Sequence, residues 1–151
     1  MTLPLPDEAV RLGVDAADWR SAVRASGEAL AAAGVTAPAY VDEMIATVET
    51  LGPYIVIAPG LALAHARPSP AVNCAGLSWV TLARPVTFGN GEFDPVDVVI
   101  GLAALDRDGH IDLMAELAEV LSDADRLGVA RAATTPHGVR EAFAARDQDA
   151  A

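Results

Sequence analysis

His65 and His110 stand where an imidazole could do chemistry in this chain of 151 residues and three histidines. His65 ends an apolar run, Leu61-Ala62-Leu63-Ala64, and Arg67 follows two residues later. An unperturbed imidazole titrates near pH ~6.5, so it is largely neutral at pH ~7 and its lone pair can attack phosphorus. A nearby guanidinium can offset the charge on incoming phosphoryl oxygens. His110 sits in Asp106-Arg107-Asp108-Gly109-His110, where a strand pattern gives way to a helix. Such junctions gather sites in α/β sheets, and a helix N-terminus offers N–H groups to an anion. His137, in Thr135-Pro136-His137-Gly138, reads as a solvated residue in a surface helix's first turn. Taken singly, a histidine beside an arginine or at a helix start is more often structural. A site made of all three histidines lacks any zinc-ligand spacing, so no metal is expected.

Composition narrows the functions available. The net charge is −11, and every basic residue is arginine. That surface repels phosphate backbones, which argues against nucleic-acid binding. It also favours taking a phosphoryl group from a basic protein over binding free nucleotides. Hydrophobic residues make up 52% of the chain, enough to exclude a disordered acidic segment and to close a core. Apolar runs are too short to cross a bilayer, and Met1-Thr2-Leu3-Pro4 lacks the basic region of a signal peptide, so a cytoplasmic location without membrane insertion is expected. The single cysteine, Cys74, forbids an internal disulfide and reads as a small core residue ahead of a strand.

The elements that must position the histidines follow from periodicity. Residues up to about Val14 form a short strand or edge segment. Asp15 or Asp18 caps a helix through Trp19, Val23, Ala29 and Leu30 that stops at Gly34. A second helix begins near Thr36, with Pro38 in its first turn. Tyr40, Val41, Met44, Ile45 and Val48 form its stripe, and Gly52-Pro53 ends it. Residues 54–58 read as a buried strand broken by Pro59-Gly60, and residues 77–82 and 96–104 as two more. A helix after Asp106 and Asp108 carries Ile111, Leu113, Met114, Leu117, Val120 and Leu121. Two shorter helices follow, one capped at Ser122 or Asp123 and one after Thr135-Pro136. Helices, strands, then helices predict one α/β domain over residues 1–151, built on a small mixed sheet.

The stretch from Gly52 to Pro68, with His65-Ala66-Arg67-Pro68 at its end, resembles the signature of the mannitol–fructose class of phosphotransferase IIA domains, closest to the ascorbate-type branch. Downstream, Pro85-Val86-Thr87-Phe88-Gly89, Asp94-Pro95-Val96, Gly101-Leu102-Ala103-Ala104, His110 and the run from Leu117 to Asp123 agree in order and spacing. The resemblance implies a mixed β-sheet flanked by helices on both faces, the mannitol-type IIA fold. It implies that His65 is the phosphorylated histidine and that His110 steadies the phosphoryl group. Two positions depart from the pattern. Ala64 stands where proline is common, which is expected to loosen the loop before His65. Val48-Glu49-Thr50 lacks the arginine of mannitol-type members, which argues against mannitol as the sugar. Either Arg67 supplies that charge, or histidine and backbone donors suffice.

The implied activity is a phosphotransferase relay in the cytoplasm. Phosphorylated HPr passes its phosphoryl group to His65, which hands it to a IIB component serving a membrane IIC component. Donor and acceptor are both protein side chains, so no cofactor is implied. The chain has no IIB-like cysteine loop and is expected to stand alone. The rival reading is a regulatory module that uses the same phosphorylation to control binding to a partner, without sugar transport. A third is a relative that has lost phosphorylation.

Overall fold

The computed structural model describes residues 4–150, with side chains described to residue 144. The reading of Met1-Thr2-Leu3 lies outside the described residues. A five-stranded sheet runs in the order β1 (Val10–Val14), β4 (Gly76–Val86), β5 (Val96–Ala103), β3 (Leu61–His65), β2 (Val56–Ala58). It is mixed: β1 is parallel to β4 and β3 to β5, whereas β4–β5 and β2–β3 are antiparallel. Helices α1 (Trp19–Ala32) and α2 (Ala39–Leu51) precede the central strands. Helices α3 (Arg107–Leu121), α4 (Ala124–Ala132) and α5 (Pro136–Ala150) follow them. None of the helices is long and apolar enough, among the described residues, to cross a membrane.

Strand alternation divides the core in two. On one face Ala62, Ala64, Val80 and Val99 pack against Val23, Leu30, Tyr40 and Met44 of α1 and α2. On the other, Leu61, Leu63, Trp79, Ile100 and Leu102 pack against Leu113, Leu117, Val139 and Phe143. The expected mixed sheet with helices on both faces is therefore the observed one. Successive strand residues point to opposite faces, so His65, two residues on from Leu63, falls on the side covered by α3.

Several boundaries differ from the sequence reading. Residues 61–65 read only as an apolar segment, yet they form β3, paired with β5 from Leu61↔Val98 to His65↔Leu102. Five residues bounded by turns carry too little periodicity to separate strand from loop. Ala64 consequently lies fully buried in a ladder opposite Gly101, not in a loosened loop. Residues 53–55 form a 3₁₀ turn, which shortens β2. Pro59-Gly60 turns β2 into β3, with Gly60 at φ 74°. Arg131 of α4 fastens this turn, its guanidinium donating to the Pro59 carbonyl and to the Asp97 carboxylate at 2.9 Å each. Ile111 is exposed, because it lies about 200° around α3 from Leu113, which points into the core with Leu117 and Val120. Cys74 is exposed rather than buried, in a loop before β4 where its N–H donates to the Val35 carbonyl. A loop residue at the end of the sheet has no strand packed over it, whatever its side chain.

Gly101 shows how tightly α1 sits on the sheet. Its N–H donates to the Ser78 hydroxyl at 3.1 Å, and that hydroxyl donates to the Ser26 carbonyl of α1 at 2.8 Å. A Cβ at position 101 would run into the Ser78 Oγ and press on Leu30. Gly101→Ala should therefore cost about 1–3 kcal/mol by overpacking. At about 2–4 °C per kcal/mol for a chain of this size, thermal melts should show a fall of several degrees.

Candidate active site

The parallel strands β3 and β5 end side by side, and the candidate residues cluster at that edge. His65 is the last residue of β3 and is level with Leu102. Beyond β5 the chain turns into α3, capped by Asp106, whose carboxylate accepts from the Gly109 N–H at 2.7 Å. One helical turn from that cap, His110 meets His65, with ring centroids 5.3 Å apart and ring planes inclined at 53°. Both line an open groove of about 1070 Å³ whose walls include Thr47 and Thr50 of α2, Arg67 after β3, and Arg107 of α3. The structure thus brings together His65, His110 and Arg67. His137 is apart on α5, exposed and 3.0 Å from Glu141.

The two imidazoles have different surroundings. His65 Nδ1 lies 3.3 Å from the Leu63 carbonyl oxygen, which can only accept. That contact assigns the proton to Nδ1 and leaves Nε2 as the nitrogen with a free lone pair. His110 Nδ1 is buried without a hydrogen-bond partner among the described residues. Burial first, and then repulsion from His65, lower the His110 pKa below the ordinary 6.5. A neutral ring carrying its proton on Nε2 leaves only an unprotonated acceptor at the buried Nδ1, a smaller penalty than a buried N–H.

One residue that holds the site was read from sequence only as helix packing. Tyr40 is fully buried on α2, and its hydroxyl lies between β3 and β5. It accepts from the Ala66 N–H at 3.0 Å, and it faces the Leu102 carbonyl at 2.9 Å and the Ala66 carbonyl at 3.1 Å. Ala66 follows His65 and Leu102 is the strand partner of His65, so this hydroxyl fixes the backbone on both sides of the imidazole. Burial pushes the Tyr40 hydroxyl up to about 12, so it remains a donor. The signal in the sequence was a tyrosine within an apolar stripe, since a buried hydroxyl needs a partner. Arg107 was also missed, read only as part of a charged helix start.

A pair of imidazoles beside guanidinium groups that have no partner among the described residues, at the carboxyl ends of parallel strands, is suited to holding a transferable anionic group. Residues 4–145 match the family model described as phosphoenolpyruvate-dependent sugar phosphotransferase system, EIIA 2, and the chain belongs to that family. It is 37% identical over 134 residues to the ascorbate-specific PTS system EIIA component of Escherichia coli strain K12, covering 88% of this chain and 87% of that protein. The crystal structure of IIA mannitol from Escherichia coli superposes with a TM-score of 0.80 at 26% identity, covering 93% of this chain and 99% of that one. The IIAMTL chain in its complex with phosphorylated enzyme IIBMTL from Escherichia coli gives 0.81 at 29% identity, covering 95% and 99%. The family and the mannitol-type fold are those implied by the histidine signature.

Two outcomes test this geometry. A histidine whose folded pKa is lowered contributes stability above its unfolded pKa, and that stability is lost as pH falls through the folded value. NMR titration should place His110 below 6.5. In His65→Ala it should rise only part of the way back, because burial is the larger cause. Tyr40→Phe leaves the buried Ala66 N–H unpaired and should cost about 1–3 kcal/mol in denaturant unfolding. Faster amide exchange at Ala66 should accompany that loss.

Proposed function

We propose that residues 1–151 act as one cytoplasmic EIIA domain that relays a phosphoryl group through His65. The observation that carries this reading is the His65–His110 pair in one groove with Arg67, inside a chain of the EIIA family. Nε2 of His65 attacks the phosphorus of a phosphohistidine on HPr. A new N–P bond forms as the donor's N–P bond breaks, and the departing imidazole takes back its electron pair. His65 keeps its Nδ1 proton, held toward the Leu63 carbonyl. The neutral His110 donates from Nε2 to a phosphoryl oxygen, and Arg67 offsets the negative charge. A second in-line step passes the group to a IIB component serving a membrane IIC component, with docking supplying the alignment.

A complex of a similar IIA protein with a phosphorylated IIB protein supports the downstream step. The likeness to an ascorbate-specific EIIA component favours transport of ascorbate or a related carbohydrate over a purely regulatory role.

Intact mass after incubation with enzyme I, HPr and phosphoenolpyruvate tests the relay. An acid-labile gain of one phosphoryl group is expected, and it should vanish in His65→Ala with the fold retained. Continued uptake by that variant would place the acceptor elsewhere. His110→Ala should still accept the group, but transfer should be slower or the phosphorylated form shorter-lived. Kinetics equal to the wild type would leave His110 a packing residue.

A further inference from the structure

Taking the phosphoryl relay at His65 as given, we infer that Arg107 is a second catalytic cation of this site, touching the phosphoryl oxygens from the α3 wall of the groove. Arg107 precedes His110 by three residues on α3, a spacing that puts two side chains on neighbouring positions of one helix face, and both line the groove that holds His65.

Its electrostatic setting puts the helix dipole against the flanking carboxylates of Asp106 and Asp108. Arg107 opens α3, and the helix dipole places partial positive charge there, so the dipole by itself repels a cation in the first turn. No ion pair or hydrogen bond holds the guanidinium among the described residues. The adjacent Asp106 carboxylate is engaged in the helix cap through Gly109.

Arginines elsewhere are mostly satisfied. Arg20, Arg84, Arg131 and Arg140 pair with carboxylates, and Arg126 donates to the carbonyls of Ala142 and Phe143. Arg11 and Arg24 also have no partner among the described residues but do not line the groove, whereas Arg67 and Arg107 do. The α2 wall contributes no cation: it presents threonines and Glu43, whose charge would repel a phosphoryl group. Positive charge thus reaches the anion from two directions, Arg67 beyond β3 and Arg107 on α3. A dianionic phosphoryl group between them supplies the partner that both guanidinium groups lack among the described residues.

The test uses two donors on the full-length chain: phosphorylated HPr, which must dock, and phosphoramidate, a small molecule that need not. With phosphoramidate the P–N bond to ammonia breaks as the bond from His65 Nε2 to phosphorus forms. Arg107→Ala should slow phosphorylation by both donors to a similar extent, about tenfold for loss of a charge-assisted contact in the transition state. Arg107→Lys should recover part of the rate, because it keeps the charge and loses the planar fork. Thermal melts of both variants should lie no lower than the wild type's, since Arg107 makes no ion pair or hydrogen bond among the described residues. Slowing with HPr alone would make Arg107 a docking contact and overturn the inference. Unchanged rates with both donors would overturn it as well. A wild type that takes phosphate from neither donor would instead refute the relay reading on which this rests.

Discussion

The Tyr40 hydroxyl joins three parts of the chain at one point, and the geometry around His65 depends on it. The ladder between β3 and β5 ends at His65 and Leu102, where strand hydrogen bonding can no longer hold the chain. Beyond this end the backbone must leave the sheet, and an imidazole there would otherwise move with a loop. The hydroxyl takes the Ala66 N–H and sets itself against the Leu102 carbonyl, extending the order of the sheet by one residue. It reaches that point only because α2 lies close to the sheet, on the face where β3 presents Ala62 and Ala64. Small side chains on one face and leucines on the other make β3 both a close seat for a helix and a wall of the second core.

Charge is arranged with similar economy. The chain is strongly acidic, yet two cations without partners among the described residues meet at the same groove. Among the described residues, acidic residues answer Arg20, Arg84, Arg131 and Arg140, and exposed pairs such as Asp15 with Arg84 and Asp7 with Arg140 contribute little stability. The groove is therefore distinguished by what is left unanswered there.

Much of this was legible in the sequence, in proportion to local signal strength. The cap of α1, narrowed to Asp15 or Asp18, the start of α3 after Asp106 and Asp108, and the stripe of α2 came directly from residue type and spacing. The pairing of His65 with His110 did not, since they lie 45 positions apart and meet only because β3 and β5 are neighbours. The family signature stood in for that missing information. What stayed hidden were β3, too short to show a period, and the exposures of Cys74 and Ile111. Residue type puts cysteine and isoleucine inside, while topology decides what covers them.

The exposed position of Cys74 has a practical side. It is the chain's one thiol, and the sequence contains no lysine, so no side-chain amine competes for an electrophile. Maleimide chemistry would attach a dye or spin label at a single surface point, outside the residues that line the histidine groove. The molecule thus carries its own attachment point for following the approach of a partner by fluorescence or distance measurement.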